Sequence, residues 1–198
     1  TKTLNDLSNG MIHRGPDNEG FLIDKNFGFS MRRLSIIDLD GGNQPIFNET
    51  KKLSIVFNGE IYNYKEIKDR LIQKGHVFQT KSDTEVIIHL FEEKGIDCVN
   101  DLNGEFSFAI WDKIKRQLYI TRDRFGVKPL YWCLNKKSFY FSSDLLALNR
   151  IIGEEVSKTS ILNYLIYSYV PAPQSLFKNI FKLEPGHNLI IKNNKVEK

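Results

Sequence analysis

The residues best equipped for chemistry are an Asn-Gly pair that follows an apolar run. The run covers residues 53–57, Asn58 and Gly59 come next, and a charged pattern of helical spacing extends from Asn63 to Lys74. A strand that ends at a glycine corner can present backbone N–H groups and an Asn side-chain amide to an oxyanion. The alternative is a type I′ hairpin, which needs a second strand directly after the turn. Because a helix is predicted there instead, the sequence favours a functional corner.

Two other charged residues have both a functional and a structural interpretation. Arg33 lies beside Arg32 in a predicted strand, and the alternation of side chains does not decide which of the two faces the interior. Arg33 on the surface is therefore the alternative to Arg33 in a pocket. Asp83 follows Ser82, which forms a predicted capping box with Glu85. An acidic residue in a first turn often serves only the helix dipole, so both interpretations of Asp83 stay open.

Composition excludes several classes of protein. The 198 residues are 41% hydrophobic and 12% aromatic, which suits one domain with a sizeable core and excludes a disordered chain. The net charge of +4 comes from scattered lysines, so no nucleic-acid partner is expected. No apolar run is long enough to span a membrane and no signal peptide is visible, so we expect a cytoplasmic protein without a membrane partner. Cys98 and Cys133 are expected to be buried thiols, and no metal site is predicted.

Hydrophobic periodicity predicts one α+β domain of mostly antiparallel sheets covered by helices. Helices are predicted over residues 1–12, 63–74, 82–95 and 157–169. Strands are predicted over residues 20–24, 27–37, 53–57, 77–79, 105–111, 118–121, 129–134, 138–141, 187–191 and 195–196. Asn63 with Glu66, like Ser82 with Glu85, is predicted to form a capping box.

At this point the chain resembles the class II glutamine amidotransferases. Five segments occur in that family's order, namely His13–Asp17, Arg33–Ile36, Asn58–Asn63, Ser82–Glu85 and Arg122–Gly126. The segments Tyr169–Pro173 and Pro185–His187 look most like the glutamine-hydrolysing asparagine synthetases. The resemblance implies the N-terminal nucleophile hydrolase fold, a four-layer αββα sandwich.

The resemblance also implies roles for five residues. Arg33 is expected to bind the α-carboxylate of glutamine, and Asp83 its α-ammonium, with Glu60 near the same amino group. The Asn58 side chain and the Gly59 backbone N–H are expected to form the oxyanion hole. Gly59 is also expected to let backbone and substrate approach closely, because it has no Cβ.

Two of the five segments are given structural roles. His13 is interpreted as a hydrogen-bonded residue of a turn rather than as a catalytic group. Arg122, Asp123 and Arg124 are interpreted, by resemblance, as a buried ion-pair brace of the central sheets, with a solvated turn as the alternative.

The chain departs from the family at its nucleophile. The family uses an N-terminal cysteine whose own α-amine acts as general base. Cys98 and Cys133 are far from the terminus, and Thr1 is rejected because the residues before His13 are needed for a helix. Residues 1–198 are therefore expected to be an N-terminally truncated glutamine amidotransferase type 2 domain without its first strand, inactive alone. The C-terminal ATP-dependent synthetase domain, with its ATP and Mg²⁺, is also expected to be absent, and no cofactor is expected in this domain.

The resemblance favours the glutaminase domain of an asparagine synthetase. Glutamine and the synthetase domain of the full-length chain are the expected partners, and a homodimer stays open. One alternative is an amidotransferase domain for another acceptor, such as a surface-polysaccharide acid. A second is a non-catalytic domain that binds glutamine as a sensor.

Overall fold

The computed structural model describes residues 2–34, 41–135 and 138–197. Its helices are α1 (Lys2–Gly10), α2 (Tyr64–Gln73), α3 (Asp83–Lys94), α4 (Leu145–Ile152) and α5 (Lys158–Tyr167), with a 3₁₀ turn at Gly95–Asn100. Its strands are β1 (Asn18–Asp24), β2 (Phe27–Arg33), β3 (Ile46–Phe47), β4 (Leu53–Ile61), β5 (Gly104–Asp112), β6 (Gln117–Arg122), β7 (Tyr131–Asn135), β8 (Ser138–Ser142), β9 (Phe181–Lys182), β10 (Asn188–Lys192) and β11 (Lys195–Glu197).

A six-stranded antiparallel sheet in the order β11-β10-β6-β5-β4-β3 forms the centre of the fold. β4 and β5 pair over nine residues, from Leu53 opposite Asp112 to Ile61 opposite Gly104. Both strands are buried on both faces over most of their length. This explains why β4 reads in the sequence as a continuous apolar run and not as an alternating one.

Each face of the central sheet packs on a different layer. On one face, Ile55 and Phe57 pack with Ile67 of α2 and Ile87 of α3. On the other face, side chains of the central sheet pack against two smaller sheets, β1-β2 and β8-β7-β9. α1 and α4 contact each other and cover the outer side of those smaller sheets. The four-layer αββα architecture expected from the resemblance is confirmed.

Several predicted elements differ from the structure. Residues 77–79 form no strand, and Asn63 makes no side-chain cap on α2, because its amide bonds Asp101 and Asn103 instead. Ser82 does cap α3 by accepting from Thr84 N. Helix α4, the 3₁₀ turn, β3 and β9 were not predicted. Thr1 and the part of the Arg33–Ile36 segment beyond Leu34 lie outside the described residues.

Helix α5 is the least covered helix of the described chain. Leu162, Leu165 and Ile166 are all exposed, while Ser160 is buried. None of the described helices is both long and apolar enough to cross a membrane. The exposed apolar side chains of α5 therefore form a surface patch on the domain.

Candidate functional site

Asn58, Gly59 and Glu60 lie inside strand β4 and not at a corner. They are paired with Ser107, Phe106 and Glu105 of β5, and β4 continues to Ile61. Both sequence interpretations, a hairpin turn and a strand-ending corner, are therefore wrong in geometry. The strand continues because β5 supplies ladder partners through the whole segment, which is a tertiary contact that the local sequence does not reveal.

Gly59 is required by the neighbouring strand. Its φ is +154°, and a Cβ built there would lie 2.1 Å from the carbonyl oxygen of Glu105 and 2.7 Å from Cα of Phe106. The close approach predicted at this glycine exists, but the approaching backbone in the structure is that of β5. A side chain at residue 59 would push the two central strands apart.

The Asn58 side chain has an unusual environment. Its Nδ2 atom is buried and has no hydrogen-bond partner among the described residues. A buried amide donor without a partner is costly, commonly by about 1–3 kcal/mol, and a role in binding or catalysis is one explanation for such a group. Asn58 also lines two neighbouring cavities, so this residue belongs to the wall that they share.

One of these, the polar cavity, brings all five predicted site residues together. It has a volume of about 260 Å³, and Arg33, Asn58, Gly59, Glu60 and Asp83 belong to its lining. The residues come from the end of β2, the end of β4 and the first turn of α3. The lining also includes the cationic residues Arg14, Arg32 and Lys128, so four cations and two carboxylates surround the cavity. Charges of both signs complement a small zwitterion such as an amino acid.

The structure distinguishes the environments of Arg32 and Arg33, which the sequence alone could not. Arg33 is 8% exposed, and its Nη1 donates to Oδ1 of Asn43 at 3.3 Å. Arg32 makes an ion pair of 2.8 Å with Glu19 and donates to Ser8 Oγ at 2.9 Å, which ties β2 to β1 and α1. Arg32 lines both cavities, but its ion pair and this hydrogen bond are with the outer layers. Arg33 is the more buried arginine and lines the polar cavity but not the second one.

Asp83 is a buried carboxylate held by neutral donors. It is 5% exposed, its Oδ2 accepts from Ile61 N at 3.0 Å, and its Oδ1 lies 3.4 Å from the Ser82 hydroxyl. Burial raises the pKa of Asp83, and the nearby negative charge of Glu60 raises it further, against the hydrogen bonds. No cation lies within ion-pair distance of it in the described part of the chain. A positively charged ligand beside Asp83 would therefore stabilise its ionised form.

Gln44 is a cavity residue that the sequence did not suggest. Its Oε1 accepts from Phe57 N at 2.6 Å, and its Nε2 lies 3.4 Å from Oγ1 of Thr84. Gln44 therefore connects the loop before β3 with both β4 and α3 beside the site. No motif could have identified it, because its partners are 13 and 40 residues away.

The other singled-out residues have structural roles. His13 is exposed and its Nε2 lies 3.4 Å from Asp144, the N-cap of α4. Cys98 and Cys133 are both buried, and burial raises the pKa of the Cys98 thiol to about 12. Neither thiol has the lowered pKa of a reactive cysteine.

The expected ion-pair brace is corrected by the structure. Within the described residues, Arg122 donates to the carbonyls of Gly126, Lys128 and Leu183. Asp123 accepts from backbone N–H groups, including those of Phe106 and Val127. Both residues therefore brace the end of β6 through the backbone, since a turn exposes many backbone groups that need partners.

The second cavity, called here the apolar cavity, separates the two smaller sheets. It has a volume of about 350 Å³ and is lined by residues 28–32 of β2 and residues 138–142 of β8. α1 lies on one side of it, and Val56 and Ala109 of the central sheet on the other. β2 is paired with β1, and β8 with β7, so the strand edges that face this cavity have no partner strand in the described structure.

Comparison with known proteins gives relatives over nearly the whole chain. This chain is 39% identical over 193 residues to asparagine synthetase [glutamine-hydrolyzing] 1 of Bacillus subtilis, and the match covers 96% of this chain and 30% of that protein. It is 43% identical over 195 residues to asparagine synthetase [glutamine-hydrolyzing] 2 of the same organism, covering 95% of this chain and 26% of the relative. The chain thus spans about a third or less of the length of these relatives.

Solved structures support the same fold. The glutamine phosphoribosylpyrophosphate amidotransferase of B. subtilis superimposes with a TM-score of 0.57 at 22% identity, covering 78% of this chain and 30% of that one. A structure described as the allosteric regulatory enzyme of purine biosynthesis gives 0.62 at 22% identity, covering 86% and 34%. The family model for the glutamine amidotransferase domain matches residues 1–198. With that match and the shared architecture, the chain belongs to the glutamine amidotransferase domain family.

Proposed function

We propose that this chain is the glutamine-hydrolysing domain of an asparagine synthetase, with its substrate bound in the polar cavity. The observation that carries the proposal is the buried Asn58 Nδ2 atom, which has no partner among the described residues and belongs to a residue that lines that cavity. An amide donor held without a partner is ready to bind a developing oxyanion and needs no reorganisation to do so. The Gly59 backbone N–H is proposed as the second donor.

Charge in the polar cavity supports the proposed orientation of glutamine. The planar guanidinium of Arg33 suits the α-carboxylate, because it can donate two parallel hydrogen bonds. Asp83 and Glu60 suit the α-ammonium group. A cation there would relieve the repulsion that contributes to the raised pKa of Asp83. Glutamine held at both charged ends would then direct its amide toward Asn58.

The apolar cavity offers a place for the nucleophile. A strand inserted between β2 and β8 would join the two smaller sheets into one, and one end of that strand would lie beside Asn58. We propose that a segment preceding residue 1 in the complete protein forms this strand and begins with a cysteine. Its own α-amine would accept the thiol proton, and the thiolate would attack the amide carbon of glutamine. The proton would then pass to the amide nitrogen as the C–N bond breaks and ammonia leaves, and water would hydrolyse the thioester to glutamate.

A second domain is proposed to use the released ammonia. The chain spans 30% and 26% of the two B. subtilis relatives, whose names describe glutamine-hydrolysing asparagine synthetases. The exposed apolar patch of α5 is a suitable surface for such a domain to cover. ATP and Mg²⁺ are assigned to that domain, and we assign no residue of this chain to them.

Glutamate release tests the hydrolase. Residues 1–198 alone are expected to show none, whereas the complete protein should release glutamate from glutamine. In the complete protein, Asn58→Ala should lower kcat by about 10²–10³-fold. Ser54→Ala is the matched control, because Ser54 Oγ is also buried without a partner in the described structure but lines neither cavity.

Three outcomes would contradict parts of the proposal. An unchanged kcat in Asn58→Ala would remove Asn58 from the oxyanion hole. Glutamine binding without turnover in the complete protein would indicate a non-catalytic glutamine sensor. Turnover that forms no asparagine when aspartate and ATP are supplied would indicate a different acceptor, such as a surface-polysaccharide acid.

A further inference from the structure

A cluster of two histidines and two glutamates lies where α3 meets two loops, and none of its residues lines the two cavities beside Asn58. His89 and Glu92 belong to α3, His76 follows α2, and Glu49 follows β3. One donor atom from each of the four lies within 4.8 Å of the others. The proposed hydrolysis of glutamine uses none of these side chains.

The spacing of the donor atoms matches a small metal ion. Nδ1 of His89 lies 3.1 Å from Oε2 of Glu92 and 3.4 Å from Oε2 of Glu49. Nδ1 of His76 lies 3.5 Å from Oε1 of Glu49 and 3.8 Å from Oε2 of Glu92. Four ligands at about 2.0–2.1 Å from a tetrahedral ion are separated by about 3.3 Å. The two distances to Glu49 use different oxygens, and one donor atom from each residue lies within 4.8 Å of the others. A contraction of no more than about 1.5 Å would therefore bring the four donors into a coordination shell.

The opposite nitrogen of each imidazole faces another carboxylate. His76 Nε2 is hydrogen-bonded to Glu93 Oε1 at 3.2 Å, whereas His89 Nε2 lies 3.5 Å from Glu85 Oε1 without forming a hydrogen bond in the described structure. Histidine ligands of metals characteristically donate their second N–H to a carboxylate, which fixes the tautomer and the ring orientation. Both histidines therefore present the same nitrogen, Nδ1, toward the centre of the cluster.

The carboxylate ligands are also oriented by hydrogen bonds. Val77 N donates to Glu49 Oε1 at 3.0 Å, and Asn48 Nδ2 donates to Glu92 Oε1 at 2.7 Å. These bonds hold the two carboxylates in place while a ligand oxygen of each stays near the histidines. Such support of the ligands by further residues is a property of metal sites and is not needed for a surface ion pair.

The charge and exposure of the cluster suit a divalent ion. With neutral imidazoles, the cluster and its surroundings carry four negative charges, from Glu49, Glu85, Glu92 and Glu93. Among the described residues, Glu93 makes an ion pair with Lys74 at 2.6 Å. The His89 side chain is 1% exposed, whereas those of Glu49 and Glu92 are 30% and 24% exposed. An ion could therefore enter from solvent and still bind to a buried histidine.

We propose that Glu49, His76, His89 and Glu92 form a structural site for a divalent transition-metal ion of the zinc type. Two imidazoles and two carboxylates are suitable ligands for Zn²⁺, and four protein ligands leave no position for a substrate. The ion would join the loops at residues 49 and 76 to α3. His89 is six residues beyond Asp83, about 9 Å along the helix, so the ion would anchor the helix that carries Asp83.

The test is zinc binding by the purified protein after removal of metal with a chelator. Titration against a chromophoric competitor should give one Zn²⁺ per chain, and Co²⁺ should give the intense visible absorption of a tetrahedral site. His76→Ala and Glu92→Gln should each weaken binding by at least about tenfold. Glu93→Gln, which removes only the carboxylate behind His76, should weaken it by about 10–100-fold.

His187→Ala is the matched control, since His187 is exposed and lies outside the cluster. It should keep full zinc affinity. Zinc should also raise the melting temperature of the parent protein and of this control, but not that of His76→Ala, because only a folded site binds the ion. Equal zinc affinity in His76→Ala and the parent protein, or less than one Zn²⁺ per chain at saturation, would overturn the proposal. Melting of each variant in chelator verifies that it is folded.

Discussion

The Asp83 carboxylate accepts a hydrogen bond from the backbone N–H of Ile61 at 3.0 Å. This bond joins the first residue of α3 to the last residue of β4, the strand that carries Asn58 and Gly59. One carboxylate thus fixes the relative position of two of the three elements that form the polar cavity. The same carboxylate is the proposed partner of the ammonium group of glutamine, so its structural and functional roles compete.

Asp83→Asn should weaken glutamine binding and stabilise the fold. Loss of the charge should lower the affinity by more than about tenfold, measured by calorimetry. The pKa of Asp83 is raised by burial, so its ionised form is disfavoured in the folded protein and lowers stability at neutral pH. Asparagine can still accept from Ile61 N, and the melting temperature at pH 7 should therefore rise.

The pH dependence of this effect has a definite sign. As the pH falls through the raised pKa of Asp83 toward the ordinary value of 3.8, the parent protein protonates the group and regains stability. The difference in melting temperature between Asp83→Asn and the parent should therefore shrink in acid. A difference that grows in acid would mean that Asp83 is not the disfavoured anion described above.

Arg33→Lys should raise the KM for glutamine by about 10–100-fold in the complete protein. Lysine keeps the charge but loses the planar pair of donors that suits a carboxylate. Arg32→Lys is the control on the next residue: it weakens the contacts to Glu19 and Ser8, and should change stability by no more than about 1 kcal/mol. Steady-state kinetics on both variants would count against Arg33 as the carboxylate ligand if Arg32→Lys gave the larger change in KM.

Gly59→Ala should destabilise the protein by about 3 kcal/mol or more. Its Cβ would clash with the Glu105 carbonyl and Phe106 Cα, both of which are backbone atoms and cannot rotate away. Gly75→Ala separates this clash from backbone strain, because Gly75 also has positive φ but open space around its Cβ position. Chemical unfolding should show a clearly smaller loss at Gly75; equal losses would contradict the clash.

Glu85→Gln should cost about 1–3 kcal/mol of unfolding free energy. Burial opposes the ionisation of Glu85, but the nearby His89 side chain and hydrogen bonds from Gln79 and Thr80 outweigh it and lower the pKa of Glu85 to about 2. Glutamine would place an NH₂ group against the N–H groups of residues 79 and 80. Glu66→Gln, in the exposed first turn of α2, should change stability by less than about 0.5 kcal/mol and is the control for urea denaturation.

The sequence predicted the architecture better than the local geometry. Apolar periodicity was sufficient for an α+β domain of mostly antiparallel sheets, because it reflects the packing of whole elements. The αββα sandwich came from the family resemblance carried by five segments in order. The predicted corner at Asn58-Gly59 failed because β5 extends the ladder to Ile61, and the register of β5 is a contact between residues about 50 positions apart. The strand predicted at 77–79 failed because Glu85 binds the backbone of residues 79 and 80 in place of a neighbouring strand.

The candidate site was predicted by residue type but not by contact. Arg33, Asn58, Gly59, Glu60 and Asp83 do line one cavity, although their roles stay predictions. Gln44 and the choice between Arg32 and Arg33 required coordinates, since each depends on partners in other elements. The capping box at Ser82 was half right: Ser82 caps α3, but Glu85 reaches residues 79 and 80 and not the Ser82 N–H.

The backbone contacts of Arg122 and Asp123 have a consequence for the order of folding. The Asp123 carboxylate accepts hydrogen bonds from the backbone N–H groups of residues 125, 127 and 128. Because these partners are close in sequence, this turn can form as soon as β6 has formed. One carbonyl bound by Arg122 belongs to Leu183, which is 61 residues away. Bringing so distant a segment into place is slow, because a long loop must be closed first. We expect pulse-labelled amides of Phe125 and Val127 to gain protection from exchange before that of Leu183, whose N–H donates to Leu130.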